Sequence, residues 1–135
     1  MNEVPRIYDP LLVTVLVDGR EITGFSPDGV ITAERNEDDI FPNTGAKGDV
    51  AIAINAGNSG HVKIPLQHTS ASIPFLRNLA AQRRFVPLTI ADANGPDYVH
   101  ITTEHAMIQK TPDAQRTKEI GSFEVNFFVP HLHFN

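Results

Sequence analysis

The chain of 135 residues holds 16 acidic against 11 basic side chains, a formal charge of −5, with 41% hydrophobic residues and no cysteine. That size and balance suit one domain with one core, and the missing thiols exclude a disulfide framework, thiolate zinc sites and thiol chemistry, as expected of a protein made in the cytoplasm. Scattered Lys and Arg under an acidic excess argue against a nucleic-acid binder; MNEVPRIYD lacks a signal-peptide pattern, and the longest apolar run, Leu11 to Val17, falls far short of the about 20 residues that a membrane span needs.

Alternation of apolar and polar residues dominates from the start. Val13, Val15 and Val17 share one face of a strand, and Asp18-Gly19 signals a hairpin into Glu21-Ile22-Thr23. Ser26-Pro27-Asp28-Gly29 reads as a turn or bulge before Val30 to Ala33 resumes the extended pattern. In Asp49 to Asn55, Val50, Ile52 and Ile54 form an apolar row. The Ala56 to Gly60 turn then predicts a second hairpin, into a strand with Val62, Ile64 and Leu66 inside and His61, Lys63 and Gln67 outside. Pro65 marks that strand as an edge or a bulge.

The period changes once, over about residues 70–84. Ser70 or Ser72 can cap a helix there, Pro74 suits its first turn, Phe75, Leu76 and Leu79 form a stripe, and Arg83-Arg84 complement the C-terminal dipole. Phe85 to Gly95 is a strand closed by a turn at Asp92 to Gly95, and Tyr98 to Ile108 another. Thr111 to Glu119 is a polar connection, and Ile120 to Val129 is the last strand, with Phe123, Val125 and Phe127 facing in. Seven or eight strands and one short helix, without repeats or linkers, predict a mainly β protein. The expected form is a single-domain β-sandwich or partly closed barrel over residues 1–135, with an extended loop at 34–49 and a short C-terminal tail at 129–135.

The stretch from Glu34 to Val50 places Glu34, Glu37, Asp38 and Asp39 before two adjacent large apolar residues, Ile40-Phe41, followed by Pro42, Gly45 and Gly48. It lacks the ligand spacing of an EF-hand, and Gly45-Ala46-Lys47-Gly48-Asp49 lacks that of a phosphate loop. A solvated loop is the plain reading, yet such a loop has no use for Ile40-Phe41.

Among six histidines, His131 and His133 share a face at i, i+2 without a third ligand, while His100 and His105 are expected on opposite faces of one strand. Thr69 to Ser72 lacks the glycines of a nucleophile elbow, and capping explains its hydroxyls better. No catalytic, metal or cofactor site is expected.

The order of parts resembles the tail tube proteins of contractile-tailed bacteriophages. The likeness rests on Tyr8-Asp9-Pro10, Val17-Asp18-Gly19, Ile22-Thr23-Gly24-Phe25 and the acids leading to Gly45-Ala46-Lys47-Gly48-Asp49. It continues through Ser59 to Ile64 and the helix start at Thr69-Ser70, spanning residues 8–128; Val129 to Asn135 matches nothing in that pattern. The resemblance implies a structural virion protein without cofactor or catalysis, assembled in the host cytoplasm. Six copies would close a ring, and rings would stack into the inner tube within a sheath. Baseplate and tape measure proteins would be further partners, and DNA would pass through the lumen unbound. A tube subunit of a related contractile injection or secretion system is the nearest alternative, and a small ligand-binding sandwich the alternative of another class.

Within that frame residues 34–49 are expected to form an arm. Asp38, Asp39, Ile40, Phe41 and Pro42 would contact a neighbouring subunit, with Arg77, Arg83 or Arg84 as partners for the acids. Glu34, Asp49 and Glu124, on the non-core faces of their strands, are the candidates to face the lumen, where negative charge would repel DNA.

Overall fold

The computed structural model describes residues 13–26, 31–93, 100–110 and 122–134. Tyr8-Asp9-Pro10, the turn beyond Ser26, Asn94-Gly95, Tyr98-Val99 and the connection Thr111 to Glu119 lie outside the described residues.

Strand β1 (Val13–Val17) turns tightly into β2 (Arg20–Glu21), with Val17 opposite Arg20. Both turn residues take positive φ, 52° at Asp18 and 79° at Gly19, the geometry of a two-residue turn whose twist matches the flanking strands. The other strands are β3 (Thr32–Arg35), β4 (Ile40–Thr44), β5 (Val50–Ile54), β6 (Gly60–Gln67), β7 (Val86–Asp92), β8 (Ile101–Ile108) and β9 (Ser122–Val129); helix α1 (Ile73–Gln82) separates β6 from β7. Among the described residues seven strands make one sheet in the order β2-β1-β7-β8-β9-β6-β3, while β4 and β5 pair only with each other.

The large sheet folds around its own core. β8 pairs with β7 through Ile101 to Ala106 and then with β9 through Met107 and Ile108, so the sheet turns a corner within one strand. Between the edge strands β2 and β3, the segment from Ile22 to Ser26 straddles the gap. Ile22 N donates to Val15 O at 2.9 Å on one side; on the other, Gln67 N donates to Gly24 O at 2.8 Å and Ser26 N to Pro65 O at 3.2 Å. The result is a partly closed barrel around a cluster of buried side chains that includes Val15, Val17, Ile64, Leu66, Leu88, Val125 and Phe127.

α1 seals the barrel with Ile73, Leu76 and Leu79. It is shorter than expected from residues 70–84, and Phe75 is only half-buried, under the Arg20 guanidinium at 4.8 Å from its ring centre. Ser72 stands at the N-cap, yet its hydroxyl does not cap. The two serines bind the backbone of Thr23 instead: Ser70 Oγ donates to its carbonyl at 2.6 Å and Thr23 N donates to Ser72 Oγ at 3.1 Å. They therefore fasten the helix to the strap that closes the barrel. A Cβ on Gly24, whose φ is 78°, would lie 2.7 Å from Ser70 Cβ, so this crossing requires glycine.

Two readings of alternation need correction. β5 does not pair with β6; β6 lies between β3 and β9, and Val50, Ile52 and Ile54 are not in the core. An alternating row states that a strand has an apolar face and leaves open what covers it. His100 and His105 are both exposed rather than on opposite faces, because an extra residue in β8 shifts the register between Val86–Ala106 and Leu88–Thr103 and resets the parity.

Candidate functional site

β4 and β5 form an arm that leaves the barrel. Their register, Ile40 opposite Ile54, Pro42 opposite Ile52 and Thr44 opposite Val50, gathers Ile40, Pro42, Val50, Ile52 and Ile54 on one face; Phe41, Asn43, Ala51 and Ala53 form the other. Every residue of both strands is exposed, with Ile40 at 45%, Phe41 at 48%, Val50 at 62%, Ile52 at 58% and Ile54 at 82%. A two-stranded ribbon is marginal in water by itself, and one that shows apolar side chains on both faces calls for a covering partner. Pro42 is tolerated because each strand here is an edge.

The tip and the root of the arm are tied by separate means. At the tip Gly45 N donates to Asp49 O at 2.7 Å and Gly48 N to Gly45 O at 3.0 Å, with Gly48 at φ 88°. At the root Asn55 N donates to Asp39 O, and Asn55 Nδ2 to Asp38 O and Glu37 Oε2, each at 2.9 Å. Arg35 joins the root to the C-terminal tail: Nη1 meets Asp39 Oδ1 at 2.7 Å, while Nε and Nη2 donate to Leu132 O at 3.3 and 3.1 Å.

The tail therefore acquires a structural role that its sequence did not announce. Leu132 is fully buried, its amide donates to Asn58 O at 2.8 Å, and its side chain fills the space where a Cβ on Gly60 would stand. His131 and His133 share a face, as their spacing implies, and bracket one amide: His131 Nδ1 lies 2.7 Å from Asn58 Oδ1 and His133 Nε2 3.4 Å from Asn58 Nδ2. These contacts lock the chain on both sides of the arm to the barrel, so the ribbon projects from a fixed base.

Of the expected contact residues, Asp38, Asp39, Ile40, Phe41 and Pro42 do lie together on the arm, although Ile40 and Phe41 point to opposite faces and Asp39 is engaged by Arg35. Glu34, 4.0 Å from His61, and Glu124, opposite Pro65, both lie on the outer face of the β3-β6-β9 surface. Asp49 stands apart from them, at the turn of the arm rather than on a barrel strand.

The three arginines also separate. Arg77 is half-buried with its guanidinium 5.7 Å from the Phe123 ring centre; Arg84 pairs with Asp18 at 2.8 Å; Arg83 is exposed as the left-handed C-cap of α1. Sequence reasoning missed Val50, Ile52 and Ile54 as arm residues. The signal was present in two five-residue runs flanking the Gly45–Gly48 turn, a hairpin pattern in its own right.

No curated protein sequence matches the chain. A chain in the cryo-EM structure of the PVC extracellular contractile injection system, sheath/tube terminator in extended state, is similar at 12% identity and a TM-score of 0.64, covering 98% of this chain and 99% of that one. The cap that terminates the tube of the anti-feeding prophage follows at 12% identity and 0.59, covering 100% and 95%. The PVC sheath-tube complex gives 9% identity and 0.54, covering 96% and 91%. At these identities the likeness is one of fold. The profile of the bacteriophage PhiTE tail tube protein matches residues 15–133. With nearly the whole chain matched, the protein belongs to the PhiTE tail tube protein family, and its role is structural rather than enzymatic.

Proposed function

We propose that the chain is the repeating subunit of the inner tube of a contractile phage tail. Six copies close a ring, rings stack into a hollow tube inside a sheath, and assembly takes place in the host cytoplasm on a baseplate and around a tape measure protein. The observation that carries this reading is the arm, a ribbon apolar on both faces and anchored at its root, which is built to be covered by another molecule. The family match supports a tube role, and the absence of cysteine suits assembly in a reducing compartment.

The lumen is the second part of the proposal. DNA carries a negative charge about every 1.7 Å along its axis, so a basic lining would retain it and an acidic one lets it pass. Glu34 and Glu124 are the lining acids in this reading, since they lie on one outer surface of the barrel; Asp49 goes with the arm.

A tube subunit of a related contractile injection system is the second reading, favoured by the structural neighbours. Negative-stain microscopy of the purified protein tests both: annular particles with six-fold symmetry and tubes are expected, and a strictly monomeric protein at all concentrations would overturn them. Particles that package and eject DNA select the phage tail over the injection system.

A further inference from the structure

The reading of the arm as a subunit contact leaves its receptor unassigned, and the barrel carries a surface that fits it. Beside the C-terminus of α1 a cleft of about 500 Å³ is lined by Ala80, Met107, Ile108, Gln109 and Phe128, with Arg83 among its walls. Met107 and Phe128 are directly opposite each other across the β8–β9 pair, so the cleft offers contiguous apolar surface at the corner of the sheet. Among the described residues Arg83 has no ion-pair partner, in contrast to Arg84.

At the root of the arm the complementary order appears. A second cleft there is lined by Glu37, Asp38, Phe134 and the mutually paired Arg35 and Asp39, and beside it stands the cross-strand pair Ile40–Ile54. Among the described residues the Asp38 carboxylate has no partner, since Asn55 is held by the carbonyl of Asp38. Phe134, half-exposed, offers a ring face to a guanidinium, an attraction that works within about 6 Å of the ring centre. One surface thus runs from acid and aromatic to paired isoleucines, and the other from arginine to Met107 and Phe128.

We propose that the α1-corner cleft is the receptor for the arm of a second copy of this chain, with Ile40 and Ile54 against Met107 and Phe128 and Arg83 of the second copy between Asp38 and Phe134. This rests on the reading of the arm as an assembly element. The two surfaces are different parts of one subunit, so the contact is heterologous: each copy that joins presents an open arm and an open cleft, and the contact repeats into a ring or a filament. Burial of the arm's apolar root supplies affinity, while the charge pair fixes orientation and rejects approaches that bring acid to acid.

Because the chain has no cysteine, single substitutions give clean cross-linking probes. Full-length Ile54→Cys and Met107→Cys proteins, one carrying a mass tag, are mixed under assembling conditions and mildly oxidised. A disulfide joining the two variants is expected, since it needs Cα atoms only about 4.4–6.8 Å apart, and Ile54→Cys mixed with Thr102→Cys, at the far end of β8, should give none. Arg83→Glu should weaken association about tenfold or more, and Asp38→Arg in the same chain should restore it.

The cleft assignment is overturned if Ile54→Cys links equally to both positions or to neither while wild type assembles, or if the charge swap restores nothing. If Phe41→Asp and Ile52→Asp also assemble normally, the arm reading falls as well. If those two block assembly while the disulfide fails, only the receptor is wrong.

Discussion

Threonine at both Ile52 and Ile54 separates folding from assembly, because it keeps the β-branch that suits a strand and removes the apolar reach. Ile52 and Ile54 are 58% and 82% exposed, and they touch the arm rather than the barrel core. Full burial of an isoleucine is worth about 1.5–3 kcal/mol, so covering the exposed parts of both contributes roughly 2–4 kcal/mol to each subunit contact. At 1.4 kcal/mol per tenfold, losing most of that term weakens association by roughly 30- to 1000-fold. The isolated subunit loses only the small fraction already buried within the ribbon, and its melting should move by no more than about 2 °C. Sedimentation velocity over a concentration series reads the first effect, and circular dichroism melting of the unassembled subunit the second. An unchanged assembly midpoint would refute the assignment of this face to a contact. A collapse of melting would show that the ribbon is part of the folding core.

Three other outcomes follow from named contacts. Leu79→Ala opens a hole beneath α1 and should cost about 2–5 kcal/mol, read as a fall in melting temperature of roughly 10 °C; unchanged melting with lost assembly would make α1 a contact element instead. Gly60→Ala sets a methyl against the Leu132 side chain and 2.5 Å from the backbone Glu34 O, so both the tail and β3 must shift, at a cost of about 1–3 kcal/mol or more. Hydrogen exchange at the Leu132 amide should rise in that variant, and unchanged protection would show that the tail does not depend on the glycine. Glu34→Lys with Glu124→Lys should allow tubes yet slow DNA ejection, more at low ionic strength, because the screening length is about 8 Å at physiological salt; normal ejection kinetics would remove both acids from the lining.

How far the sequence carries this protein can be read from particular residues. Asp18-Gly19 specified its own hairpin, because two successive positive φ angles are cheap for few residue pairs. The alternation of Val62, Ile64 and Leu66 and of Phe123, Val125 and Phe127 specified two core strands, and the change of period specified one helix. These are local properties of the chain, set by sterics and by the spacing of apolar side chains.

The same alternation in Val50, Ile52 and Ile54 did not say that its face was left uncovered, since exposure depends on which strand pairs with which. Ser70 and Ser72 carried a capping signal but were drawn to Thr23, 47 and 49 positions away, by the closure of the barrel. Leu132 gave no signal at all: a lone leucine between histidines has no period, and it became buried only because β6 places Gly60 and β3 places Arg35 where the tail ends. Local pattern decides which elements form; the register and order of the sheet, set by contacts distant in the chain, decide which apolar face is core and which is left for another subunit.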